Sequence, residues 1–227
     1  MSFSRYAIYY APPPGPLADM GARWLGWDIA TAAPREHPGV PGLPRPVEEI
    51  TRTPRRYGFH GTMKPPFRLA AGQDAAALTR AATTLCAGQP RFDLPALTLK
   101  RIGRFLALVP SAPSPELEAL AAQVVRHLDP FRAPATEAEL ARRKAKGLSP
   151  RQEALLADWG YPYVMEEFRF HLTLTRPLAA DEAAPVEAAL RDLLAPWIGQ
   201  PLPVTDLCLT GEDSEGRHRI LQRLPLR

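Results

Sequence analysis

Two stretches decide how this chain folds: YGFHGTMKPPF at residues 57–67 and FRFHLTLTRPL at 168–178, each with a His-x-Thr triplet in an extended segment. After the first comes an alanine-rich helix, DAAALTRAATTLCAG, starting near Asp74 and closed by Gly88. A hairpin is predicted next, over 92–99 and 104–109, turning near Gly103. After the second stretch come the helix DEAAPVEAALRDLLAPW, starting near Asp181, and a second hairpin, VTDLCLTGEDSEGRHRILQRL. Strand with histidine, helix, hairpin: the order occurs twice at similar spacing, an internal duplication of architecture.

The remaining segments attach to this repeat. RYAIYY (5–10) has no charge after Arg5 and reads as a buried strand; residues 16–27 place Leu17, Met20, Trp24 and Trp27 at helical spacing, with both tryptophans in the core. PREHPGVPGLPRP (34–46) is extended or turning, and PSPELEALAAQVVRHL is an amphipathic helix with Ser114 as N-cap. Between the halves, FRAPATEAELARRKAKGLSPRQEALLADWGYPYV is a helical insertion capped at Thr136 and Ser149 that ends in an aromatic cluster beside the site. The expectation is a single bilobal domain over 1–227: a first lobe over about 52–128, the insertion over about 130–165, a second lobe over about 166–227, and strand 4–10 joining the sheets.

Composition narrows the function classes. With 45% hydrophobic and 23% charged residues in 227, the chain can bury a sizeable core. An excess of 28 Lys and Arg over 24 acids, net +4, suits an anionic ligand without calling for a nucleic acid. The nearest thing to a charge run, Arg142, Arg143, Lys144 and Lys146, reads as a solvated helix face. Cys86 and Cys208 read as buried thiols, and with no long apolar run the protein is placed in the cytoplasm, away from membranes.

On a strand, residues i and i+2 share a face, so His60 stands beside Thr62 and His171 beside Thr173. Hydrolysis of a phosphodiester needs a base for water, an acid for the leaving oxygen, and donors for the phosphoryl charge. Two imidazoles and two hydroxyls supply all of these, since imidazole titrates near working pH, and no metal or other cofactor is called for. The remaining histidines, His37, His127 and His218, lack a Thr two residues on and are given no role.

The paired motifs resemble those of the two-histidine (2H) phosphoesterase superfamily. RYAIYYAP, WLGWD, PRRYGFHGTMKPPFRLA, FLALVP, LSPRQ, WGYPYV and FRFHLTLTRPL are similar more narrowly to a bacterial family of unknown function found with phosphonate-utilisation (carbon-phosphorus lyase) genes. The resemblance implies an α+β, bilobal, pseudo-two-fold fold, with antiparallel sheets lining a central cleft and helices outside. It implies a phosphoric diester hydrolase acting on a small, cyclic, ribose-type phosphodiester, with His60 and His171 as acid and base and Thr62 and Thr173 holding the phosphate. The partner expected is a small phosphorylated metabolite, with a functional link to phosphonate-pathway enzymes.

Around the motifs, Arg56, Tyr57, Lys64 and Arg169 are candidate phosphate ligands, Lys64 because alternation carries it onto the His60 face. Tyr6, Tyr9, Tyr161 and Tyr163 are candidates to stack or hydrogen-bond, of which Tyr6 and Tyr163 are taken as substrate-binding. Arg132, Arg142 and Arg143 are candidates for a second phosphate, with Arg132 and Arg143 taken as substrate-binding. Rival readings are an RNA 2′,3′-cyclic phosphodiesterase, a non-catalytic phosphometabolite-binding protein and a metallohydrolase; the last is disfavoured by the lack of HExxH or clustered metal ligands.

Overall fold

A computed structural model describes residues 3–145 and 147–227, so Lys146 of the basic run lies outside the described residues. In chain order the elements are β1 (Arg5–Tyr10), α1 (Pro16–Leu25), β2 (Trp27–Asp28), β3 (Ala33–Pro34), α2 (Val47–Ile50), β4 (Gly61–Phe67), α3 (Ala75–Ala87), β5 (Phe92–Leu94), β6 (Leu97–Ile102) and β7 (Phe105–Pro110). Then come α4 (Pro115–His127), α5 (Glu137–Lys144), α6 (Pro150–Trp159), β8 (Leu172–Thr173), α7 (Ala180–Leu194), β9 (Leu202–Val204), β10 (Asp206–Glu212) and β11 (His218–Pro225).

The main sheet runs β11-β10-β1-β4-β8-β7-β6, antiparallel throughout, with the two motif strands β4 and β8 adjacent at its centre. The α+β class is as expected. The hairpins are exchanged: β6–β7, which follows the first motif, pairs with β8 of the second, while β10–β11, which follows the second, pairs with β1 beside β4 of the first. A small ribbon, β5 with β9, ties the two connections together. The strand predicted over 92–99 is therefore split at Pro95, where β5 peels away to its own partner; proline ends a ladder because it has no N–H to give. The long second extended segment enters the ladder only at Leu172–Thr173.

One sheet face buries the main core. From β1 it takes Tyr6, Ile8 and Tyr10, and it packs them with Trp24 of α1, Leu78 and Cys86 of α3, Leu120 and Val124 of α4, and Leu190 of α7. The alternate residues of β1, Ala7 and Tyr9, point the other way and join Trp27, Ile29 and Cys208 in a second, smaller cluster. The first helix stops at Leu25 because Gly26 turns left-handed at φ 75°, where the His37 ring also fills the space of a Cβ; Trp27 so falls in β2, not in the helix.

The predicted caps at Ser114, Thr136 and Ser149 form, and Asp74, the expected start of its helix, caps α3 as well. Asp74 and Ser114 accept from the backbone N–H three residues on, and Thr136 and Ser149 sit in capping boxes with Glu139 and Gln152. Among the described residues no helix is long and apolar enough to cross a membrane.

Candidate active site

The ladder between β4 and β8 sets Gly61 opposite Leu172. Antiparallel register carried one residue each way puts His60 opposite Thr173 and Thr62 opposite His171, all four on one sheet face. Gly61 is required between them, because a Cβ there would sit 2.3 Å from the Phe170 ring that fills the opposite face.

Both imidazoles are anchored in the same way. His60 Nδ1 donates to the carbonyl of Gly58 at 2.9 Å and His171 Nδ1 to the carbonyl of Arg169 at 2.7 Å, in each case two residues earlier. In a neutral ring that leaves Nε2 as the acceptor, and on His60 it lies 3.1 Å from the Thr62 hydroxyl.

The two sites then differ. Tyr9, which pairs with Thr62 across β1 and β4, stacks on His60 with centroids 3.8 Å apart, and Tyr57 flanks the same ring at 6.2 Å. His171 has Phe105 at 5.6 Å as its one ring neighbour among the described residues. Burial pushes His60 down to about 3, outweighing the Gly58 bond that favours its protonation, and nearby His218 and His171 lower it further. Burial also lowers His171, against the Arg169 carbonyl.

His218 is the residue the sequence reading passed over. It is fully buried, with its ring 5.3 Å from Tyr9 and 5.5 Å from Tyr57, its Nδ1 3.3 Å from Thr210 Oγ1, and its Nε2 without a hydrogen-bond partner. Burial pushes it down to about 4, with Glu212 working the other way. No local motif marks it, since it arrives from β11; Tyr9 was legible as a candidate to stack or hydrogen-bond, not as a wall of His60.

Three proposed ligands are corrected. Lys64 does not share the face of His60: Tyr9 pairs with Thr62 but Ile8 with Lys64, so a bulge at Met63 turns Lys64 inward. It is 2% exposed, bound to the Val125 carbonyl at 3.1 Å and Asp129 at 3.3 Å, and burial pulls it down to about 8 despite Asp129. Tyr6 points into the main core against Phe3, on the face opposite Tyr9. Arg132 is held by both oxygens of Asp129, at 2.7 and 3.1 Å, and by the Asp158 carbonyl.

The others remain near the surface. Tyr57 is half-buried beside His60, and Arg56 is exposed and leans on Gly216. Tyr163 is 40% exposed, edge-on to Tyr161, over which the Arg143 guanidinium lies at 4.7 Å. Arg169 is exposed, but its guanidinium bends back onto the carbonyls of Glu166 and Phe168. Among the described residues no group of three His, Cys, Asp or Glu side chains could hold a metal ion.

Residues 62–219 match the family described as "Protein of unknown function (DUF1045)". The chain belongs to that family. It is 38% identical over 231 residues, 99% of this chain and 51% of the relative, to "Ribose 1,5-bisphosphate phosphokinase PhnN" of Janthinobacterium sp. (strain Marseille). A protein of the same name from Laribacter hongkongensis (strain HLHK9) is 35% identical over 175 residues, 77% of this chain and 40% of that one. The chain thus spans about half the length, or less, of the curated relatives it matches. Among solved structures, E. coli LigT complexed with ATP aligns over 100% of this chain and 99% of its own at 15% identity and a TM-score of 0.47. A crystal structure of a phosphoesterase aligns over 98% of each chain at 19% identity and a TM-score of 0.45.

Proposed function

We propose that this protein hydrolyses a small cyclic phosphodiester of ribose type, with His60 and His171 as base and acid and no metal ion. The observation that carries this reading is the pairing of the two motifs across β4 and β8, each imidazole anchored through Nδ1 so that Nε2 serves the cleft. Water placed between the rings loses a proton to His60 Nε2 as its oxygen attacks phosphorus. The ester bond on the far side breaks, and its oxygen takes a proton from Nε2–H of a protonated His171. One P–O bond forms and one breaks, leaving a phosphomonoester and a free hydroxyl. Thr62 and Thr173 donate to the phosphoryl oxygens.

The roles are assigned by environment. His60, held far below its ordinary range under Tyr9 and Tyr57, starts neutral and is the base. His171 is the less enclosed ring, and the phosphate's negative charge favours its protonated form.

The relatives' name suggests the substrate. A ribose cyclic phosphate that also carries a terminal phosphate would open to ribose 1,5-bisphosphate, the compound named for those kinases. The chain itself has no Gly-Lys pair and so no GxxxxGK[ST] phosphate loop, which supports a reading for it other than the kinase activity in the relatives' name. Such a step would belong to phosphonate metabolism.

The test is turnover in EDTA of ribose 1,2-cyclic phosphate, nucleoside 2′,3′-cyclic phosphates and a short RNA with a cyclic end. Hydrolysis that survives chelation and falls about 10²–10⁴-fold in both His60→Ala and His171→Ala is expected. Activity abolished by EDTA, or retained in either variant, refutes the mechanism.

A further inference from the structure

The insertion carries a cation, Arg143, that is held in no ion pair among the described residues. Asp129, just before the insertion, is taken by Arg132 and Lys64, and Glu139 by the Thr136 cap and Arg68. Arg143, among the described residues, has no ion pair; its guanidinium lies over Tyr161, and its Nε is buried without a hydrogen-bond partner. Burial lowers its pKa, and the nearby charges of Arg142 and Arg5 press the same way, while Tyr161 and Glu139 oppose them. A desolvated guanidinium in such a place is stabilised by an arriving anion.

Its position ties it to the histidines. Tyr161 lies within electrostatic reach of Tyr9 and Tyr57, the two rings that flank His60. Exposed Tyr163 borders the same spot.

We infer that Arg143, stacked on Tyr161, is a second anion subsite that takes a phosphomonoester borne by the same substrate whose phosphodiester sits between His60 and His171. The inference rests on the hydrolytic reading above and narrows its substrate to a sugar carrying both a cyclic and a separate phosphate. Arg132 has no part in it, being held by Asp129.

Calorimetric titration with ribose 5-phosphate tests the subsite without turnover, using the parent, Arg143→Ala, and Arg143→Gln, which keeps a stem over Tyr161. Thermal unfolding of each variant confirms that it folds. The parent is expected to bind ribose 5-phosphate and not ribose, and both variants to bind it about 10–100-fold more weakly. In turnover, the preference for ribose 1,2-cyclic phosphate bearing a 5-phosphate over the form lacking it collapses by a similar factor. Equal affinity of parent and Arg143→Gln, or no binding by the parent, overturns the subsite. Loss of binding in Arg143→Gln when the parent hydrolyses no cyclic ester upholds the subsite and removes the hydrolytic reading instead.

Discussion

The phenol ring of Tyr9 lies nearly parallel to the imidazole of His60, with centroids 3.8 Å apart and planes 26° from each other. Tyr9 is itself 1% exposed, so the stack is one wall of the environment that keeps His60 neutral. Tyr9→Phe preserves the ring and should keep kcat/KM within about threefold. Tyr9→Ala opens a cavity, destabilises by about 3–5 kcal/mol, and lets the His60 pKa climb towards its ordinary 6.5. NMR titration of His60 checks this, and an unmoved titration in Tyr9→Ala would show that the stack does not set its protonation.

Acid stability follows from two desolvated rings, His218 buried and His60 partly so. His60 and His218 resist protonation until pH is near 3 and 4, whereas unfolded histidine takes a proton near 6.5. The unfolded state therefore binds more protons across that window, so stability is full above about pH 6.5 and falls as pH drops towards 4. Urea unfolding at pH 7, 6, 5 and 4 should show the decline, with a shallower slope in His218→Asn. Equal slopes would mean that His218 does not contribute.

Gly61 is where the two motifs meet. Gly61→Ala drives a methyl into the Phe170 ring, which should destabilise by about 1–3 kcal/mol. By shifting His60 and Thr62 against β8 it should also lower kcat about a hundredfold. Adding Phe170→Leu makes room for the methyl; kcat that stays low in the double variant would point away from this contact.

Lys64 separates packing from ligand binding. In Lys64→Met, Asp129 keeps its two bonds to Arg132, so kcat/KM should stay within about threefold. Asp129→Ala strands the buried ammonium and should cost about 3–5 kcal/mol of stability. A large loss of affinity for substrate in Lys64→Met would return this lysine to the site.

What could be read in the chain itself was what depends on a few neighbouring residues. The caps at Ser114, Thr136 and Ser149 form because each side chain bonds the N–H three positions on, and each His-x-Thr triplet keeps its two side chains together because i and i+2 share a strand face. Repetition of those local patterns disclosed the duplicated order and the candidate pair.

Which faces and strands then met was decided by pairing between distant residues. One extra residue at Met63 reverses Lys64, and no local propensity encodes a bulge whose partner is Ile8. The choice of sheet face separates Tyr9 from Tyr6 on one short strand, and the exchanged hairpins bring His218 from the last strand against Tyr9 and Tyr57, the rings beside His60. Only the assembled sheet makes the equivalent histidines unequal, because desolvation depends on everything packed around a ring and not on the triplet that contains it.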